Sequence, residues 1–70
     1  MTEHQRAILE KLVNAPNHRL TRLALLKKLF GTMDHFEMDR AMHEFPYVQR
    51  TIEDKTVFYS VRENYRLRVK

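Results

Sequence analysis

The stretch "LTRLALLKKLFGTMDHFEMDRAMHEF", Leu20 to Phe45, decides the fold. Its centre is Gly31, the only glycine of the chain. On either side lies a run with helical spacing. The first, "RLALLKKLF", predicts a helix over residues 22–30, about two and a half turns at about 3.6 residues each. Thr21 is placed to cap its N-terminus and Leu20 to act as the apolar staple before the cap. Leu23, Leu26, Leu29 and Phe30 are expected to face inward, and Arg22, Lys27 and Lys28 outward. Gly31 then stands where a left-handed residue closes a helix. Thr32 and Met33 make a short turn. Asp34 and Glu37 have the spacing of a capping box, and a second helix is expected over 35–45. Met38, Ala41, Met42 and Phe45 recur at i, i+3, i+4 and i+7, the core face. Pro46 ends the run, because the residue before a proline avoids the helical conformation.

Upstream, Thr2 and Gln5 form a second capping-box pair, and Ile8, Leu9, Leu12 and Val13 mark one face of a helix over 3–14. Asn14 tolerates a left-handed helix end, Pro16 blocks continuation, and "APNHR" is read as a connection. Downstream the period changes to two. "YVQRTI" and "TVFYSV" flank the polar "EDK" and predict a β-hairpin over 47–61. Val57, Tyr59 and Val61 share one face, with Thr56, Phe58 and Ser60 on the other. The last segment, "YRLRVK", alternates Tyr65, Leu67 and Val69 with Arg66, Arg68 and Lys70. It is either a final strand with a basic face or a basic tail spanning 62–70.

Size and composition bound the function. Seventy residues make one small domain, near the lower limit for folding alone. With no cysteine, neither a disulfide nor a thiolate metal cage supplements the core. No run approaches the roughly 20 apolar residues that span a membrane. The N-terminus lacks the layout of a secretion signal, so a reduced, cytoplasmic location is the expectation. There is no phosphate-cradling glycine loop and no nucleophile–base spacing, so an enzyme is not expected, nor a cofactor or small-molecule substrate. The net charge of +4 is unevenly spread. Residues 1–31 hold six bases and two acids (+4), residues 32–46 one base and four acids (−3), and residues 47–70 six bases and three acids (+3).

Three helices followed by a hairpin, with a short turn between the second and third helices, resemble the winged helix-turn-helix superfamily. The resemblance covers residues 3–61 and rests on "LTRLALLKKLFGTMDHFEMDRAMHEF" followed by "YVQRTIEDKTVFYSV". It implies an α+β fold in which the third helix lies in the DNA major groove and the hairpin, or wing, touches the backbone or minor groove. The segment "YRLRVK" lies outside the family pattern.

On a wheel of the third helix centred on Met38, Phe36, Arg40 and His43 fall at about 160°, 200° and 140°, opposite the core. These three are the candidate base contacts. Arg40 suits guanine O6 and N7, His43 a base or phosphate, and Phe36 a thymine methyl. The plain alternative for Phe36 is half-burial against the second helix. Four acids share the segment. Asp34 and Glu37 are expected to cap the helix and complement its dipole. Glu44 is expected to pair with a base elsewhere. Asp39 has three readings: an acceptor for cytosine N4, a residue without a useful partner, or a repeller of phosphate. Candidate phosphate contacts are Arg19, Arg22, Lys27 and Lys28 around helix two, Arg50 and Lys55 on the hairpin, and Arg66, Arg68 and Lys70 after it. Lysines such as Lys27 and Lys28 are also ordinary solvated residues. His35, Asp39 and His43 are spaced i, i+4 and i+8. Eight residues rise about 12 Å, too far for both histidines to hold one ion, so no metal is expected.

The reading that follows is sequence-specific binding of double-stranded DNA by a small transcriptional regulator. A homodimer on two half-sites is expected, with "YRLRVK" or the first helix as its interface. The alternative is a protein-interaction module docking through an acidic third helix, since one scaffold serves many functions.

Overall fold

The computed structural model describes residues 1–62. The expectations placed on Arg66, Arg68 and Lys70, and on a strand over "YRLRVK", lie outside the described residues. Among the described residues the architecture is α+β, with three α-helices and a three-stranded antiparallel sheet.

Helix α1 spans Glu3–Val13. Its capping box forms as expected: Thr2 Oγ1 accepts the Gln5 N–H at 3.1 Å, and Gln5 Oε1 accepts the Thr2 N–H at 3.0 Å. Ile8, Leu9 and Leu12 enter the core. Asn14 caps the other end in the right-handed region, with φ −86°. The left-handed residues come later, at Asn17 (φ 58°) and His18 (φ 53°) in a 3₁₀ turn over Pro16–His18. The chain therefore reverses after Pro16 and not before it.

That reversal delivers a strand the sequence pattern does not announce. Strand β1, Arg19–Thr21, lies in what reads as the end of a connection. Three residues are too few to display a period of two. Thr21 also serves as N-cap of α2, accepting the Ala24 N–H at 3.1 Å.

Helix α2 spans Arg22–Lys28, two residues shorter than expected. Its phase also differs. Leu25 and Leu29 are fully buried and Leu26 is half-buried, whereas Leu23 is 64% exposed and Phe30 90% exposed. Leucines at 20, 23, 25, 26 and 29 admit more than one helical face. The pair Leu25 and Leu29, four apart, takes the core, which turns Leu23 to the opposite side. Phe30 follows the helix end, so helical phase no longer governs it. Gly31 (φ 87°) lies two residues past the Leu29 cap, in a turn closed by bonds from the Thr32 and Met33 N–H groups to the Leu29 carbonyl, 2.9 and 3.1 Å. This turn folds Met33 into the core.

Helix α3 spans His35–Met42 and starts with its predicted capping box: Asp34 accepts the Glu37 N–H at 2.8 Å, and Glu37 accepts the Asp34 N–H at 3.0 Å. It ends three residues before the expected boundary. His43 is extended and Glu44 is left-handed, with φ 55°. Pro46 excludes the helical region at Phe45, and the turn made at Glu44 carries Phe45 back into the core, where it is 5% exposed.

Strands β2 (Val48–Glu53) and β3 (Thr56–Val61) form the hairpin, and the sheet order is β1-β3-β2. Asp54 and Lys55 both have positive φ, the signature of a two-residue type I′ turn between the paired Glu53 and Thr56. Val57, Tyr59 and Val61 share the core-side face, as the alternation predicts, with Tyr59 and Val61 buried. Leu20 and Arg50 lie opposite Tyr59 on the two flanking strands, while Arg19 lies opposite Ser60. Among the described residues a single cluster of buried side chains joins all three helices to the hairpin.

Candidate functional site

The sheet sorts the basic residues by face. Arg19 projects from the face away from Tyr59. Its guanidinium lies over the Phe58 ring, 3.9 Å from the centroid. Its Nη2 is 2.7 Å from Glu53 Oε1, an ion pair. Arg19, a candidate phosphate contact, thus ties β1 to the outer strand β2 across β3. Arg50 shares the Tyr59 face and projects toward the helices.

Between the end of α3, the start of α2 and the hairpin lies an open cleft of about 450 Å³, lined by Arg22, Asp39, His43 and Arg50 over a floor of Met42, Val48, Val57 and Tyr59. Arg22, the first residue of α2, holds Asp39 of α3 bidentately: Nη1 to Oδ1 at 2.7 Å and Nη2 to Oδ2 at 3.2 Å. Both side chains are partly in water, 31% and 51% exposed. A bidentate fork fixes the orientation of both groups. Asp39 therefore has a partner, which no reading of the third helix alone supplies. Residues 17 positions apart carry no local spacing signal.

Of the three candidate base contacts, His43 lines the cleft, while Phe36 and Arg40 stand outside it on the exposed surface of α3. Phe36 is 71% exposed, not half-buried against α2. Its ring meets the neighbouring His35, with centroids 4.1 Å apart. The other acids also find places. Asp34 and Glu37 cap α3, and Glu37 Oε2 comes within 3.8 Å of His4 Nε2 on α1. Glu44 stands past the helix end and has no ion pair among the described residues.

Lys55, at the hairpin tip, lines a second, more apolar groove with Thr21, Leu23, Leu26 and Thr56. Arg22 and Val57 line both grooves, so the two adjoin. Lys27 and Lys28 are exposed on α2 and line neither. The structure thus brings together Arg22, His43 and Arg50, with Lys55 beside them, and leaves Arg19, Lys27 and Lys28 apart. Among the described residues, no three His, Asp or Glu side chains converge to hold a metal ion, and no charged side chain is buried. No helix there is long and apolar enough to cross a membrane.

The chain matches no known family model, no curated protein and no solved structure.

Proposed function

We propose that this chain is a winged helix-turn-helix protein that binds double-stranded DNA sequence-specifically, as a small transcriptional regulator acting as a homodimer. The three helices and antiparallel sheet are compatible with that fold. The observation that carries the reading is the state of α3. Its face opposite the core is uncovered, with Phe36 and Arg40 in solvent, and three of the four nearby acids are engaged within the protein. Asp34 and Glu37 are held in the N-terminal cap of the helix, and Asp39 is paired with Arg22. Arg40 then supplies a base contact, and Arg22, Arg50 and Lys55 supply phosphate contacts.

A second reading, a protein-interaction module, draws on a different observation. Phe30 and Phe36 leave two large aromatic side chains in water at the α2–α3 turn and on α3, and exposed apolar groups of this size mark partner surfaces when they form a patch. The acidic docking face that first suggested this alternative is weakened by the internal pairing of Asp39.

Binding to random-sequence duplex at about 50 and 200 mM salt separates the two, because backbone neutralisation makes affinity fall steeply with salt. Binding that weakens with salt supports the DNA reading. No binding at the lower salt overturns it and leaves the protein-partner reading.

A further inference from the structure

We infer that the cleft between α3 and the hairpin is a phosphate site in which the Asp39 carboxylate stands in for the ligand. The carboxylate occupies the Arg22 fork in the free protein, and a phosphate takes its place on binding. The inference deepens the DNA-binding reading and rests on it for the source of the phosphate, a nucleic-acid backbone.

Three observations carry it. Arg22 grips both oxygens of Asp39 at 2.7 and 3.2 Å, the fork geometry that guanidinium offers equally to carboxylate and phosphate. The pair is half in water, so the bond orients Arg22 without locking it, and exposed pairs of this kind exchange at small cost. The same cleft holds a second guanidinium, Arg50, which has no ion pair among the described residues, and the imidazole of His43. With Arg22 (+1), Asp39 (−1) and Arg50 (+1), the cleft keeps one uncompensated positive charge even with the internal carboxylate seated. Asp39 thereby acts as a positioning residue. It holds Arg22 extended toward the cleft, and it raises the threshold for occupation, disfavouring anions that engage Arg22 alone.

The test uses the full chain and four variants: Asp39→Asn, Arg22→Gln, the double variant, and Glu10→Gln. The last alters net charge as Asp39→Asn does, but on α1, where Glu10 is exposed. Asp39→Asn is expected to tighten binding to a random-sequence duplex by roughly two- to fivefold, the worth of an exposed ion pair. Arg22→Gln is expected to weaken it and to reduce the salt slope by about 0.9, one phosphate contact. In the Arg22→Gln background the gain from Asp39→Asn should shrink to that of Glu10→Gln. An undiminished gain there, equal to the single variant's, overturns the inference.

A second arm is independent of DNA. The Arg22 Nε–Hε resonance is followed while inorganic phosphate is added, with acetate at equal ionic strength as the comparison. The expected result is a larger phosphate response in Asp39→Asn than in the unchanged protein, exceeding that with acetate. If no variant binds duplex but this response is present, the DNA reading fails and the phosphate site stands. If Arg22 responds to neither duplex nor phosphate, or responds to acetate as strongly, the phosphate site is overturned.

Discussion

The Gln5 side-chain amide joins the start of α1 to the end of α3: its Nε2 donates to the Ala41 carbonyl at 3.1 Å. Its Oε1 accepts the Thr2 N–H at 3.0 Å. One side chain thus satisfies an orphan donor at one helix end and an orphan acceptor at another. The consequence is that α3, the helix with the candidate base contacts, is oriented by a residue near the N-terminus.

Glutamate is as good a capping-box residue as glutamine but has no N–H to give. Gln5→Ala is expected to cost about 1–2 kcal/mol in denaturant unfolding, through the cap and the interhelical bond together. Gln5→Glu should be no more stable than Gln5→Ala, because its carboxylate would face the Ala41 carbonyl oxygen. Full stability in Gln5→Glu would mean that the bond to Ala41 contributes nothing.

The phase of α2 gives a sharp contrast between neighbouring leucines. Leu25 is fully buried and Leu23 is 64% exposed. Leu25→Ala should cost about 2–5 kcal/mol, enough to unfold much of a domain this small. Leu23→Ala and Phe30→Ser should stay within about 0.5 kcal/mol. Urea midpoints measured under one condition decide the matter, and a reversed order would put the helix in the wrong phase.

Lys55 sits in the left-handed region (φ 64°), at the turn position where glycine is favoured. Lys55→Gly is therefore expected to raise stability by about 1 kcal/mol. The same change removes a candidate phosphate contact, so affinity for all duplex sequences should drop and the salt slope should fall by about 0.9. Lys55→Gln loses the charge without relieving the backbone. It should weaken binding alike and leave the unfolding midpoint nearly unchanged.

Arg40 and the distal bases should differ in kind. Selection from a randomised duplex library is expected to show that Arg40→Ala relaxes preference at one base position, worth about 1–3 kcal/mol. Replacing Arg66, Arg68 and Lys70 together should weaken binding to every sequence and flatten the salt dependence. A triple variant with unchanged affinity and slope would remove those residues from the interface.

Both capping boxes, the Thr21 cap, the α3 core residues Met38 and Ala41, and the alternating faces of β3 were legible in the sequence. Each depends on residues two to four positions apart, a separation that fixes mutual geometry once the element forms. Gly31 likewise marks the α2–α3 turn, because positive φ is inexpensive only for glycine. Where the pattern was degenerate it misled. Among five leucines, the spacing favours Leu23 over Leu25, and it carries α3 on to Phe45 because a buried aromatic at i+7 looks the same whether the chain arrives there as helix or as turn.

The sequence by itself determined where helices start, that Gly31 marks the turn between α2 and α3, and which residues alternate across the hairpin, since these are set by local sterics and by donors and acceptors within a few residues of one another. Only the tertiary structure decided that Arg19–Thr21 joins the sheet, that Arg19 faces away from the helices while Arg50 faces them, and that Asp39 is held by Arg22. Those outcomes depend on segments distant in the chain meeting through packing of the shared core. A carboxylate that is anomalous on its own helix becomes half of an ion pair once a second helix is laid beside it.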